Sequence, residues 1–485
     1  LKSFCLNIVT AWTTWETENT MSDTSVLEEQ IANLSSKYEK MRSDYDESLD
    51  TIWMLLAALL VFFMHAGFSM LEAGSVREKN TQGILGKNML VVTVGFLAWY
   101  IMGFSLAFGE RDDPNKFIGG YGFAMDGFWD DKSYFRNWFF QGAFCATGAT
   151  IVSGAMAERT ATVGFGIYTV IMTSFIYPVV VYWGWSGLGF LSYSNDHDES
   201  ESVFGPPYMD FAGSGIVHLV GGVGALCGAV IVGPRKGRFD NTVPDEEFVA
   251  HNVPFVVLAT FFLWFGWYGF NPGSTLSMHD SDSANLAGLV AVNTTLAPCV
   301  AGLTVFLLRA KVVPPHRKDV GGFCNGILAG LVAITAGCGA VKHWEAIVIG
   351  FVAAFVYQGV SMVLNFFKID DVVDAVPVHG ACGIWGVLAL GLFGDPDHGM
   401  GGNGLFYGGD QFRVQLLAVI IIVAWSGVLS SLIFLPLRVA NLLRLSDTYQ
   451  DEGADAMEHS PPKAYESKEA PDVANGTPEG DTAEA

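Results

Sequence analysis

Charged residues are scarce in this chain of 485 residues: only 15% are Asp, Glu, Lys or Arg, whereas 51% are hydrophobic. So apolar a composition excludes an ordinary soluble globular protein. Basic runs interleaved with aromatic residues are also missing, so no nucleic-acid partner is expected. The seven cysteines have no CxxC spacing, and we expect neither a disulfide framework nor a metal site.

Long apolar runs are what the sequence has instead. A helix that spans a bilayer needs about 20 predominantly apolar residues, and eleven runs approach that length. Their centres lie near residues 62, 97, 147, 173, 222, 261, 297, 329, 353, 385 and 425. We therefore predict an all-α polytopic membrane protein with eleven transmembrane helices.

Lysine and arginine are distributed unevenly between the two sets of alternating loops, with fourteen in one set and six in the other. Because cytoplasmic loops are enriched in basic residues, the N-terminus is predicted to lie outside and the C-terminus in the cytoplasm. The net charge of −23 comes largely from the tails and from predicted outer loops such as 194–202. Such loops either attract cations weakly or are simply solvated surface.

The chain divides into three parts. Residues 1–50 are predicted to form an extracellular segment, in which residues 1–20 precede the first Met and are either untranslated or disordered. Apolar residues from Leu27 to Tyr45, in alternating steps of four and three, indicate a short coiled coil or one amphipathic helix lying on the membrane domain. Residues 51–438 are the predicted membrane domain, and residues 439–485 a cytoplasmic tail, disordered at its end.

Two histidines stand in Gly-rich apolar runs, His218 in DFAGSGIVHLVGG and His379 in DAVPVHGACGIWG. Polar groups inside a membrane are costly, so both are expected to face a bundle interior or a pathway. Neutral imidazole has one donor and one acceptor, and two rings in contact can form a hydrogen-bonded pair. Alternatively, histidines on two helices can ligate a haem in an electron-transfer protein. A third histidine, His65, is as well explained by a satisfied hydrogen-bonding group as by a function.

An aspartate precedes each of these two histidines. Asp210 lies eight residues before His218, and Asp374 lies five residues before His379. Both aspartates fit helix N-caps or nearby structural carboxylates. Asp210 is also a candidate for attracting a cation at the mouth of a pathway.

Aromatic residues mark a second set of candidates. Phe140 and Phe144 share one helix face because they are four residues apart, and Phe270 lies in WFGWYGFNPGS beside Ser274. Trp185 ends the fourth predicted span at the outer interface. There a Trp ring and a nearby hydroxyl can hold a small cation, although interfacial Trp is also a common membrane anchor.

These residues closely resemble the ammonium transporter (Amt) branch of the ammonium transporter/Rhesus protein family. The motifs LEAGSVREKN, GAMAER, DFAGSGIVH, HNVPF, WFGWYGFNPGS and VHGACGIWG occur in family order. The resemblance implies eleven helices, the first ten in two inverted five-helix repeats, and a plasma-membrane homotrimer with one pore in each subunit. It accounts for both histidines without iron, so no cofactor is expected.

The resemblance also implies the roles of the site residues. An ammonium ion would bind at the outer site, lose a proton and cross as ammonia, with electrogenic proton transfer and no enzymatic turnover; methylammonium is a candidate second substrate. An ammonium sensor of the same fold is the alternative. The implied residues are Trp185, Ser274, Phe140 and Asp210 for the outer site, Phe144 and Phe270 for the gate, and His218 and His379 for the pore.

The tail resembles the family's regulatory C-terminus, with one departure. Where plant relatives carry a phosphorylatable Thr, this chain has Met457. Ser446 and Thr448 are therefore the candidate regulatory positions, and a cytoplasmic regulator of the tail is a candidate partner.

Overall fold

The computed structural model describes residues 2–110, 115–129, 133–191, 204–400 and 402–465. The regular elements in these ranges are helices, without a β-strand, which confirms the predicted all-α membrane class. The acidic loop at 194–202 and the predicted disordered end of the tail, in 466–485, lie outside the described residues.

The helices follow one another along the chain. The long ones are, in chain order, α1 (Lys2–Ser75), α2 (Glu78–Phe108), α3 (Ser133–Ala155), α4 (Thr162–Trp185), α5 (Ser214–Val232), α6 (Val253–Phe270), α7 (Ser281–Lys311), α8 (Val320–Ile334), α9 (His343–Phe366), α10 (Val376–Phe393) and α11 (Gln411–Val439). The short helices of the tail are α12 (Asp447–Glu452) and α13 (Ala454–Glu458).

Nine helices in the described part of the chain are long and apolar enough to cross a membrane. The segments predicted around residues 147 and 329 form α3 and α8, which are not among the nine; α8 is apolar but shorter. Every predicted span therefore coincides with a helix, while the number of eleven spans stays a prediction.

Polar side chains fix where several helices begin. Asn252, Asp280 and Asp319 each accept a hydrogen bond from a backbone N–H in the first turn of α6, α7 and α8, at 3.1, 2.8 and 2.9 Å. The first N–H groups of a helix have no partner within the helix, so such caps satisfy donors that would otherwise be left unpaired.

Helix α1 continues without a break through the predicted boundary at residue 50 and packs along α6 and α3. Before that boundary it is exposed: Leu34 and Met41, in the predicted coiled-coil pattern, are 69% and 51% exposed. The pattern therefore has no covering partner within the described part of this chain. The coiled coil and the division at residue 50 stay predictions.

Helices α5 and α10 begin at opposite faces of the bundle, and we name these faces by their contents. The N face carries Asp50 and the start of α5, and the C face carries residues 440–465 and the start of α10. The first turns of each helix pack against the other helix. A Cβ added to Gly222 would overlap the backbone of Gly380, so this crossing requires glycine.

The tail returns along the C face of its own subunit. Leu443 is buried, and its carbonyl accepts from the Ala161 backbone N–H at 2.8 Å. Asp455, also buried, accepts from the backbone N–H groups of Gln82 and Gly83, both at 3.0 Å, at the start of α2. Residues 443–455 are therefore a docked segment.

The predicted regulatory positions lie on the surface of this docked segment. Ser446 caps α12 by accepting from the Tyr449 N–H, and both Ser446 and Thr448 are exposed. Met457 is exposed as well.

Candidate functional site

A cavity of about 440 Å³ opens at the N face. Its lining includes three of the predicted binding residues, Phe140, Trp185 and Ser274. The Trp185 indole N–H donates to the backbone oxygen of Asp210 at 2.8 Å, which fixes the ring. The Ser274 hydroxyl donates to the Phe270 carbonyl at 2.7 Å. Its proton is thereby occupied, and its oxygen can accept a hydrogen bond from a ligand.

Asp210 lies behind this cavity and caps α5. Its carboxylate accepts from the backbone N–H groups of Gly213, Gly215 and Ile216 at 2.9 to 3.0 Å, and from the Tyr208 hydroxyl at 3.0 Å. Gly213 adopts a positive φ of 104°, a conformation that glycine reaches at little cost. The contacts of Asp210 are those of a buried helix cap that also holds the Trp185 ring through its backbone.

Aromatic rings close the inner end of the cavity. Phe144 and Phe270 are stacked, with ring centroids 4.1 Å apart and planes at 24°. Phe140 lies 4.7 Å from Phe144, and Trp185 meets the edge of Phe144 at 6.1 Å. Phe144 and Phe270 are fully buried, so the predicted gate residues form a closed stack.

The two predicted pore histidines meet directly beyond this stack. The Nδ1 atoms of His218 and His379 are 3.2 Å apart, and the ring planes are nearly parallel at 20°. His218 also lies 5.4 Å from Phe270, and His379 lies 6.1 Å from Phe68. Since two protonated Nδ1 atoms cannot share a hydrogen bond, one ring must present a bare nitrogen. The pair therefore carries at most one positive charge.

The direct contact leaves no space for an iron between the two rings, which argues against the haem interpretation. Among the described residues, no group of three or more His, Cys, Asp or Glu side chains has a metal-binding arrangement. What the geometry does provide is a buried column of rings, composed of Phe144, Phe270, His218, His379 and Phe68.

A second cavity, of about 360 Å³, opens on the C face. Charged residues of both signs line it, among them Arg235, Arg309, Asp370 and Asp374. The column of rings thus runs between two polar mouths on opposite faces of the bundle.

Of the two interpretations of Asp374, the helix cap is wrong and the nearby structural carboxylate fits its contacts. Asp371, eight residues before His379, accepts from the Ala375 and Val376 backbone N–H groups at 3.0 and 2.7 Å. Asp374 instead accepts from the side chains of Tyr357 and Ser361. The counterpart of Asp210 is therefore Asp371, and the equal spacing of eight residues was the signal that could have identified it.

Gln141 is another residue that the sequence reasoning missed. It lines the N-face cavity, and its buried Oε1 has no hydrogen-bond partner within the described ranges. Its position could have been inferred, because Phe140, Gln141 and Phe144 share one helix face. The Gln141 Oε1 oxygen can therefore accept a hydrogen bond from a donor in the cavity.

His65 does not join the column of rings. Its ring packs against Phe62 at 5.9 Å. Both of its nitrogens are buried without a hydrogen-bond partner in the described part of the chain. It is therefore not the satisfied hydrogen-bonding group that was one interpretation of the sequence, and among the described residues its ring contact is with Phe62 and not with the candidate site.

The sequence is similar to those of several ammonium transporters. A model described as Ammonium Transporter Family matches residues 52–465. Ammonium transporter 1 member 3 of Solanum lycopersicum is 38% identical over 433 residues, which cover 85% of this chain and 92% of that protein. Ammonium transporter Amt2 of Archaeoglobus fulgidus is 38% identical over 429 residues, which cover 87% of this chain and 89% of that protein.

Solved structures give the same result. A structure titled "Sensor Amt Protein" is similar with a TM-score of 0.75 and 32% identity, covering 86% of this chain and 99% of that one. The crystal structure of Candida albicans Mep2 is similar with a TM-score of 0.72 and 28% identity, covering 83% of this chain and 87% of that one.

Proposed function

The chain belongs to the ammonium transporter family, and from that premise we propose that it moves ammonium across the plasma membrane through the column of rings. In this proposal it is a homotrimer with one pore in each subunit, its N face lies outside and its C face in the cytoplasm. Residues 51–438 form the transport domain. The observation that carries the proposal is the unbroken sequence of site, gate and histidine pair between two polar mouths.

Recognition begins in the N-face cavity. An ammonium ion has a positive charge and four N–H donors. The rings of Trp185 and Phe140 attract the charge through cation–π interaction, while the oxygens of Ser274 and Gln141 accept hydrogen bonds. Asp210 supports the site indirectly, by holding Trp185 and the start of α5.

The column beyond this cavity favours ammonia over ammonium. Phe144 and Phe270 are buried and offer no acceptor for an N–H group, so a cation would lose its hydration there without compensation. Deprotonation removes that penalty, because neutral ammonia is far cheaper to desolvate. Sodium and potassium ions have no proton to release, and the same penalty excludes them.

The histidine pair then serves both products of deprotonation. Each imidazole can donate to or accept from a passing ammonia molecule. The 3.2 Å contact between the Nδ1 atoms also offers a path for the separated proton. Transport is then electrogenic, because one positive charge crosses with each ammonia.

A sensor function is the second candidate. The similarity to the structure titled "Sensor Amt Protein" favours it, and so does the docked tail. In this version ammonium binds at Trp185, and the segment 443–465 passes the signal to a cytoplasmic regulator. Phosphorylation of Ser446 or Thr448 would act on the same segment by adding negative charge beside α12.

Two-electrode voltage clamp on oocytes that express the full chain tests the transport proposal. Ammonium should evoke a saturable inward current that uninjected cells lack, and Trp185→Leu should raise the half-saturating concentration about tenfold. An absence of current despite surface expression would refute electrogenic transport. Uptake of labelled methylammonium would then distinguish neutral conduction from sensing.

A further inference from the structure

Glu72 is a buried carboxylate in the C-face half of α1 that the mechanism above does not use. Its side chain is only 2% exposed. Its oxygens accept from the Asn88 amide N–H at 2.8 Å and from the Ser153 hydroxyl at 2.6 and 2.8 Å. An acidic group in the apolar interior is expensive unless it is paired or functional, and both of these partners are neutral.

A small cavity places Glu72 and the histidine pair at one site. Its volume of about 10 Å³ is close to the smallest that holds one water molecule. The three polar residues of its lining are His379, Glu72 and Asn325, and the others are Phe68, Leu71, Ile151, Leu328, Val373, Ala375 and Val378. Of the three, only Glu72 can take up a proton from an imidazolium, because an amide does not.

We propose that Glu72 is the proton acceptor below the histidine pair, reached from His379 through one water molecule in this cavity. This inference rests on the proposed electrogenic transport and names the residue that receives the separated proton. Proton transfer through a single water is an established geometry for acid–base groups. A carboxylate has about four acceptor positions, and the three contacts from Asn88 and Ser153 leave capacity for the water.

The proton balance is closed within these groups. Before transfer, His218 carries its proton on Nδ1 and His379 carries its proton on Nε2. At the gate, an N–H bond of ammonium breaks, ammonia remains, and the released proton is taken up at Nε2 of His218. The Nδ1 proton of His218 passes to Nδ1 of His379, and the Nε2 proton of His379 passes through water to Glu72. Glu72 then becomes a neutral acid and releases the proton toward the C face. Both imidazoles end neutral, with their tautomers exchanged, and must return before the next transfer.

A buried lysine acts electrostatically on this acceptor. Lys87 on α2 is buried and attracts the Glu72 carboxylate electrostatically. It also attracts Glu458 in α13 of the tail. Lys87 therefore connects this acceptor electrostatically with the tail at the C face.

The test measures charge and tracer together. Oocytes expressing the full chain are clamped at a hyperpolarised potential in labelled methylammonium, and the charge that enters is divided by the tracer taken up. Glu72→Gln keeps the shape of the side chain but cannot carry the proton, so we expect this ratio to fall about tenfold while tracer uptake continues. Glu72→Asp, which keeps the acid but lengthens the gap to His379, should give an intermediate ratio.

Ser153→Ala is the matched control, because it removes a contact of Glu72 and leaves the carboxylate in place; its ratio should equal that of the wild type. A wild-type ratio in Glu72→Gln would overturn the inference. If that variant does not reach the surface, an unchanged ratio in Glu72→Asp overturns it instead. Tracer uptake without current in the wild type would also overturn it while leaving transport intact, and absence of both in the wild type would refute the proposed function itself.

Discussion

The two segments that carry the histidines have the same start and different surroundings. Asp210 and Asp371 each cap a helix eight residues before a histidine, from opposite faces of the bundle. His218, however, is packed against the rings of Trp267 and Phe270, whereas His379 borders a cavity of the size of one water molecule. Because the cap and the histidine are equally far apart in both helices, the two histidine rings meet at the same level of the bundle. The difference gives the path a direction, from an aromatic gate toward a group that accepts protons.

Substituting the two capping aspartates should produce the largest losses of stability, and the two losses should differ. Asp210→Ala leaves three backbone N–H groups and the Tyr208 hydroxyl without their partner, and Asp371→Ala leaves two backbone N–H groups. Since each buried unpaired donor costs about 1 to 3 kcal/mol, we expect Asp210→Ala to be the more destabilising. Thermal unfolding of the purified proteins in detergent measures the difference. Equal losses of stability would show that the number of hydrogen bonds does not determine how much each cap contributes.

Replacing glycine by alanine where α5 and α10 cross should cause the next largest loss of stability, but only in α5. Gly222→Ala places a Cβ against the backbone of Gly380, and relieving such an overlap costs about 1 to 3 kcal/mol. A Cβ on Gly380 meets only ordinary contacts, the nearest at 3.5 Å, so Gly380→Ala should be nearly neutral. Melting temperatures of the two variants, compared with the wild type, test this asymmetry. A neutral Gly222→Ala would contradict the packing at this crossing.

Substitutions at Gln141 and Glu72 should distinguish ammonium binding from charge transfer. Gln141→Met removes the unpaired acceptor in the N-face cavity, and we expect the half-saturating ammonium concentration to rise about tenfold, the value of one hydrogen bond to a charged group. The charge-to-tracer ratio should not change, in contrast to Glu72→Gln. Gln141→Glu, which keeps an acceptor, is the control and should retain binding. Loss of both affinity and ratio in Gln141→Met would indicate a general disturbance of the pore.

The smallest expected loss of stability is for a substitution at Asp374, and this distinguishes Asp374 from the capping residue Asp371. Asp374→Asn keeps an acceptor for the Tyr357 or Ser361 hydroxyl, and its positive φ of 59° is one that Asn tolerates. We expect a loss of about 1 kcal/mol or less in the free energy of unfolding. Denaturant titration of Asp374→Asn and Asp371→Asn checks which substitution lowers the free energy of unfolding more. A larger loss at Asp374 would restore the pairing that the sequence spacing first suggested.

The sequence predicted the helices well because the apolar runs are distinct, and polar caps such as Asp280 and Asp319 mark where some of them begin. It also marked His218 and His379 as a pair, but it could not place their rings in contact, because that contact depends on how α5 and α10 cross at Gly222. Asp371 was missed because Asp374 lies nearer in sequence, although only the backbone geometry decides which carboxylate meets the free N–H groups.

Other features of the site depend on surroundings that no spacing reveals. Glu72 belongs to a recognised motif, yet its link to His379 is visible only from the cavity that both residues line. Gln141 could be placed on the pore face by helical spacing, whereas the missing partner of its Oε1 required the packed structure. The regulatory assignments of Ser446 and Thr448 stay predictions, since exposure permits modification without demonstrating it.

The most direct test of the histidine column is uptake of labelled methylammonium in oocytes expressing the full chain or His218→Ala at matched surface abundance. The wild type should show saturable uptake above uninjected cells, and His218→Ala should change that uptake and its accompanying current at least tenfold, because His218 is the first polar group beyond the gate. Uptake and current identical in the two proteins would contradict the claim that ammonia and its proton pass His218.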